Sequence, residues 1–373
     1  MTSRARLLTA LKGMQPDRVP VVVSRNLFAK NAFTREKSYG DMVKHARAYS
    51  DVMFKEHVGT LRYLDMYPRY GTNLEVEIQE PEDGETIVVM HTRKGALTKV
   101  LRSVPGTAPE VLRVTTKYFI EEEEDFERFL SIPYEPGDIG VEQVQKSDLE
   151  VGDRGLVLVT MWDAVGAAVS QIDPEQFALW SVTKKYKLRG FVDIMHERIK
   201  NELSLFLHSG VGDVFYFNGP EYVIPPSQPP SFFNEFVVPY DAELIKMIHE
   251  YSRLAMVHCH GKVSAFIKRF YEMGVDALHP LEPPPSGDVD IGKTKTEFDN
   301  KFCIVGNIQY SELTNYTPEE IFRRVKQLIQ DAGKGGALIV SPCSGLYEIP
   351  IPERTAENYK AMIDAVLKYG FYS

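Results

Sequence analysis

The sequence predicts an α/β protein built on a parallel sheet, and three observations carry that prediction. Short, almost wholly apolar segments recur along the chain; helical patterns separate them; and the segments end repeatedly in His, Cys, Glu, Asp or Asn. Apolar runs of this kind suit strands buried on both faces, as in a parallel sheet covered by helices. With 373 residues, 43% of them hydrophobic, the chain is long enough for one large α/β barrel or two average domains.

The elements follow in order. "SRARLLTALKG" (3–13) reads as a short amphipathic helix with Leu7, Leu8 and Leu11 on one face, and "DRVPVVV" (17–23) as a buried strand. A polar helix is expected around 38–56. The texture then changes: 73–80, 85–92, 96–102 and 111–120 alternate apolar and polar residues between "EDG", "RKG" and "VPGTAPE". That predicts an antiparallel meander interrupting the first α/β unit, as a lid or side sheet. The acid-rich "EEEEDFERF" (121–129) fits the first turn of a helix, where carboxylates face the positive end of the dipole.

From there the α/β rhythm is continuous. Strands are predicted at 156–161, 213–217, 254–258, 275–279, 302–306 and 337–341, with helices at 184–208, 231–252, 262–273, 317–332 and 354–369. "TPEE" (317–320) is a capping-box start with Pro at the first helical position. The cluster "YVIPPSQPP" (222–230) reads as a shaped loop at a strand end. No repeat or low-complexity segment breaks the pattern.

Composition excludes several functions. A net charge of −9 without a basic tract argues against nucleic-acid binding. No secretory signal or membrane span is read at the N-terminus. Three cysteines, Cys259, Cys303 and Cys343, form no disulfide framework and point to a reducing cytoplasm.

In a parallel α/β fold, functional groups gather where strands end. The residues at those ends are Trp162 and Asp163; Asn218 and Glu221; His258, Cys259 and His260; His279 and Glu282; Asn307; and Cys343. In "VHCHG", two histidines two apart on an extended strand end point to one side, and Cys259 points away. Packing, a proton relay and a metal site remain open readings of this triplet. For a metal, two imidazoles plus the Cys343 thiolate suit zinc, with Glu221, water or substrate in the fourth position. Cys259 would then be a small buried hydrophobe, and Cys303, inside "FCIVG", is expected to be inert. The aromatic residues Trp162, Phe217, Tyr222 and Tyr347 are candidates for contact with a flat ligand.

Over nearly its full length the chain resembles the uroporphyrinogen decarboxylase superfamily, including its corrinoid-dependent methyltransferase branch. The resemblance lies in "LLTALKGMQPDRVPV", "GPEYVIPPSQPPSFFNEFVVPY", "VHCHGK", "FYEMGVDALHPLEPPPSGDVDI", "CIVGNIQ", "ALIVSPCSG" and "PERTAENYKAMIDAVLKYG". It implies a single distorted (β/α)8 TIM barrel with its site at the C-terminal mouth, the meander at about 73–120 being an insertion. True decarboxylases of the family carry an arginine-rich early loop, where this chain has "VVVSRNLFAKN" with Arg25. They also carry Gly-Asn-Leu-Asp-Pro, where it has "GNIQYSEL" without the Asp.

The methyltransferase branch binds zinc through a His-x-Cys pair and a later Cys. This chain matches with His258 and Cys343 and replaces the middle Cys with His260. The resemblance therefore implies a zinc-dependent methyltransferase acting with a separate corrinoid protein, and a homodimer by family analogy. In that reading His258, His260, Cys343 and Glu221 hold the metal. Glu221, Asp163 and His279 are catalytic, and Trp162, Asn218, Tyr222, Glu282, Asn307 and Tyr347 contact the substrate. The alternatives are a decarboxylase of a small or tetrapyrrole acid, with Asp163, His279 or Arg25 as donor and anchor, and a non-catalytic binding barrel.

Overall fold

A computed structural model describes residues 1–24, 27–60, 74–81, 84–107 and 112–372. The helix Ser3–Leu11 and the helix Gly40–Tyr49 precede the first strand, β1 (Val52–His57). Four strands follow: β2 (Glu75–Gln79), β3 (Glu85–Thr92), β4 (Gly95–Ser103) and β5 (Arg113–Lys117). They pair antiparallel in that order as a separate four-stranded side sheet. The α/β part then runs through β6 (Gly155–Trp162), β7 (Val214–Asn218), β8 (Leu254–His258), β9 (Ala277–His279), β10 (Cys303–Ile308) and β11 (Leu338–Pro342).

These six strands and β1 make one parallel sheet in the order β1-β6-β7-β8-β9-β10-β11. Among the described residues the sheet therefore has seven strands, where the resemblance implies eight. The predicted strand at 17–23 makes only single parallel bridges, Val21 to Val340 on β11 and Val22 to Asp51 beside β1. Those bridges link the two edges of the sheet, so it curls upon itself. The buried Asp51 carboxylate holds the junction by accepting from Arg6, Arg18 and the Val21 N–H.

Strand alternation divides the apolar residues between two cores. On β6, Leu156 and Leu158 face inward with Val214, Met256 and Ile339, and the helix Ser3–Leu11 plugs that inner core with Leu7, Ala10 and Leu11. Val157 and Val159 face outward against the surrounding helices. Every residue of β6, β7, β10 and β11 is buried, as two covered faces require.

Two predicted helices end early. The one expected at 38–56 stops at Tyr49, because Val52–His57 is a barrel strand. Its Lys55 and Glu56 give it a polar texture: Glu56 faces outward to Gln143 and Ser147, while Lys55 faces the lumen. The helix expected at 231–252 is two, Pro230–Phe236 and Val238–Glu250, broken just before Pro239, which has no N–H to continue the ladder. The acid-rich segment does open a helix, Glu123–Leu130. Arg25 and the first residues of the predicted strands 73–80 and 111–120 lie outside the described residues.

The helix Pro318–Ala332 has the predicted capping box, with Thr317 accepting from the Glu320 N–H and Glu320 reaching back to the Thr317 N–H. Thr317→Ala should cost about 1 kcal/mol of stability in urea unfolding; an unchanged midpoint would show that packing alone holds this terminus. Among the described residues no helix is long and apolar enough to cross a membrane.

Candidate functional site

At the C-terminal ends of the parallel strands lies a cavity of about 280 Å³. Lys55 of β1, Tyr216 of β7, His258 of β8 and His279 of β9 line it, joined by His260, Cys343 and Tyr347 from the following loops. Met53, Leu158, Met256 and Val305 form an apolar floor. Register brings the groups together: Asn218, His258 and His279 lie opposite one another across three neighbouring strands.

The hydrogen bonds fix the imidazole tautomers. His279 Nε2 lies 3.4 Å from the Pro342 carbonyl, which can only accept, so Nε2 carries the proton. Burial, and after it the Lys55 and His260 charges, holds His279 well below the usual histidine range, so it is neutral and its Nδ1 is bare. His258 Nδ1 stands 2.8 Å from that Nδ1 and must donate to it. His258 is likewise kept neutral, mainly by burial, so its Nε2 keeps a lone pair. The Tyr216 hydroxyl, 3.2 Å from His279 Nδ1, accepts from Lys55 Nζ at 2.9 Å.

The second histidine is set differently. His260 Nδ1 lies 3.1 Å from Glu282 Oε2, which also accepts from the Gly261 N–H at 3.0 Å. Burial pushes the Glu282 carboxyl up, but the His260 contact and the Gly261 N–H outweigh it and hold it below its ordinary value. An ionised Glu282 holds a proton on His260 Nδ1, so Nε2 is the ring nitrogen turned to other partners. A carboxylate behind an imidazole is the usual support of a metal-binding histidine.

Among the described residues no three His, Cys, Asp or Glu side chains stand close enough together to hold a metal ion as placed. The fit to zinc lies in donor chemistry: the His258 and His260 imidazoles and the Cys343 thiol line one cavity. Burial pushes the Cys343 thiol up, so its proton would leave only as a metal replaced it.

The other candidate residues divide sharply. His279 and Tyr347 line the cavity; Glu221, Asp163, Trp162, Asn218, Tyr222, Glu282 and Asn307 do not. Asp163 is fully buried and caps the helix Ala164–Val169, accepting from the Gly166 N–H at 2.6 Å. Glu221 accepts from the Gly219 N–H at 3.2 Å; burial pushes its carboxyl up, and the nearby His260 and Lys55 charges offset part of that rise. Trp162 packs near Tyr222, ring centroids 6.1 Å apart, and Asn218 reaches the Met161 carbonyl. Asn307 donates to the Leu281 carbonyl and accepts from Arg324. These groups shape the loops that carry the lining residues. Cys259 and Cys303 are both buried, the first in the outer core and the second in the inner one.

Sequence reasoning missed Lys55 and Tyr216. The signal for Lys55 was the period-2 pair Met53 and Lys55, both on the lumen side. For Tyr216 it was a hydroxyl in an otherwise apolar run, "VFYFN".

Residues 150–369 match the family model described as uroporphyrinogen decarboxylase (URO-D). No curated protein matches the sequence significantly. Among solved structures, a methyltransferase from Methanosarcina mazei aligns over 99% of both chains, with a TM-score of 0.62 and 17% identity. At that identity the likeness is one of fold. A protein from Listeria monocytogenes described as a vitamin-B12-independent methionine synthase covers 62% of this chain and 70% of its own, at 12% identity and a TM-score of 0.42.

Proposed function

We propose that this chain, which belongs to the uroporphyrinogen decarboxylase family, is a zinc-dependent methyltransferase. In this reading it moves a methyl group from a small methoxylated or methylated substrate to a separate corrinoid protein. The observation that carries the reading is that His258 and His260, engaged at Nδ1 by His279 and Glu282, line one cavity with the Cys343 thiol.

His258, His260 and Cys343 would hold zinc there. When bound, zinc supplies a Lewis acid for the oxygen that carries the methyl group. The chain's own residues prepare that chemistry. Glu282 and His279 orient the two imidazoles through their Nδ1 protons. The apolar floor of Met53, Leu158 and Met256 excludes water from the face the substrate body occupies. With Glu221 held by the Gly219 N–H, the remaining position goes to the substrate.

Two features weigh against a tetrapyrrole acid as substrate. The cavity of about 280 Å³ is small, at the low end of ligand sites. Among the described residues Lys55 is the one cation lining it, too few for a molecule with eight carboxylates.

Metal analysis tests the proposal. The purified chain should retain about one zinc per molecule, and His260→Ala and Cys343→Ser should each lose it while keeping the fold. Zinc retained by both variants, or a folded parent that takes up none, would refute this ligand set.

A further inference from the structure

We propose that Asn307 and Gln309 are positioning residues of the candidate metal site: their side-chain amides clamp the chain on either side of Glu282 and so hold its carboxylate against His260. This deepens the methyltransferase reading and rests on it only where zinc is concerned. Neither residue lines the cavity, so neither is expected to touch substrate.

The segment "HPLEPPPSGD" (279–288) has an unusual need of outside support. Pro280, Pro283, Pro284 and Pro285 have no N–H, so the stretch cannot hold its shape through a backbone ladder. Leu281 has a φ of 48°, a left-handed conformation that a residue with a branched side chain keeps only when its surroundings enforce it. Backbone bonds from the Gly287 N–H to the Pro283 carbonyl and from the Val289 N–H to the Glu282 carbonyl secure it from the C-terminal side.

The end of β10 supplies the rest. Asn307 donates from Nδ2 to the Leu281 carbonyl at 3.0 Å. Gln309, two residues on, donates from Nε2 to the Pro283 carbonyl at 2.5 Å and to that of Pro284 at 3.3 Å. The residues just before and just after Glu282 are thus each tied to one amide. Between them Glu282 presents Oε2 to His260 Nδ1 at 3.1 Å and to the Gly261 N–H at 3.0 Å.

The amides are themselves oriented. Arg324 donates to Asn307 Oδ1 at 2.8 Å, which turns the Nδ2 edge toward Leu281. Glu312 accepts from Arg324 Nε at 2.9 Å and from the Gln309 N–H at 2.7 Å, so one ion pair steadies both. Asn307 and Gln309 are only 1% and 4% exposed, so water does not readily replace a lost donor and the carbonyl stays unsatisfied. Contacts therefore run unbroken from Arg324 through the two amides and Glu282 to His260. Groups behind a ligand in this way set its orientation and with it the affinity for metal.

Two measurements on the full chain test this. In the metal-free protein, nitrogen-15 NMR of the His260 ring, assigned with His260→Gln, reports the Nδ1 bond to Glu282. In the loaded protein, chelator competition gives zinc affinity. Asn307→Asp keeps the shape of the side chain, and Arg324 keeps the new carboxylate ionised, so it cannot donate to Leu281. We expect Asn307→Asp and Gln309→Met to move the His260 signals toward those of Glu282→Ala, and each to weaken zinc binding about tenfold. Introduced into Glu282→Ala, the same substitutions should change zinc affinity by less than about twofold, because the group they act through is gone. Losses of stability in urea should instead add in the double variants, which separates positioning from a general structural role. Arg324→Gln, at the outer end of the chain of contacts, is a third variant with the same expected direction, and circular dichroism confirms folding of each. Parental His260 signals in the folded variants, or an equal loss of zinc affinity with and without Glu282, would overturn the assignment. If the parent takes up no zinc, the methyltransferase reading loses its ligand set while the ring signals still decide the clamp.

Discussion

Replacing His258 or His260 with alanine should lower methyl transfer to the corrinoid protein by about two orders of magnitude or more, while Glu282→Gln should cost about 10–100-fold in zinc affinity. The distinction follows from what each group touches. His258 and His260 offer ring nitrogens to the cavity, so their loss removes donors outright. Glu282 stands behind His260, 3.1 Å from Nδ1, and fixes which nitrogen carries the proton. A glutamine there still presents an oxygen to the Nδ1 proton but gives up the charge that strengthens the bond. Zinc affinity, read by chelator competition, should therefore separate the variants in the order parent, Glu282→Gln, alanine variants. Methyl transfer should follow the same order. A Glu282→Gln protein with parental zinc affinity would show that the His260 tautomer is set by something else.

Part of this site could be read in the sequence, because the relevant spacing is local. Two residues apart on a strand end means one face, and that is enough to place His258 and His260 together and turn Cys259 into the outer core. The strand ends also mark which loops build the cavity, and His279, Cys343 and Tyr347 do line it. What a strand end does not reveal is which way its polar residue turns. Asp163 and Asn307 stand at such ends and spend their side chains on the Gly166 N–H, the Leu281 carbonyl and Arg324, because the backbone where strand becomes helix leaves groups to be satisfied. Lys55 was hidden for the opposite reason. A charged pair, Lys55 and Glu56, makes β1 look like the end of a polar helix, and only pairing with β6 shows the two side chains on opposite faces. The curled parallel sheet was legible in the run of apolar segments. The segment at 17–23 was not, since apolar residues alone cannot distinguish a full strand from two isolated bridges.

Asp241→Asn should stabilise the protein progressively as pH rises, by about 1–3 kcal/mol at pH 8 and by little at pH 4. Asp241 lies on the helix Val238–Glu250, 1% exposed, and neither carboxyl oxygen finds a hydrogen-bond partner among the described residues. Burial without compensation disfavours the charged form and pushes the carboxyl up to about 8. Burial first and Asp241 second push Asp163 up as well, so ionising either carboxyl burdens the other. In the unfolded chain an aspartate ionises near ~3.9. The folded state therefore holds its proton more tightly than the unfolded state. The stability this gives is fully present below ~3.9 and drains away as pH climbs through about 8. An asparagine neither gains nor loses a proton, so the variant escapes that loss and its advantage should widen across the same interval. Urea unfolding at pH 4, 6 and 8 would show two stability curves that diverge with pH. If they run parallel, Asp241 titrates alike in the folded and unfolded chains, and an unseen partner satisfies its carboxylate.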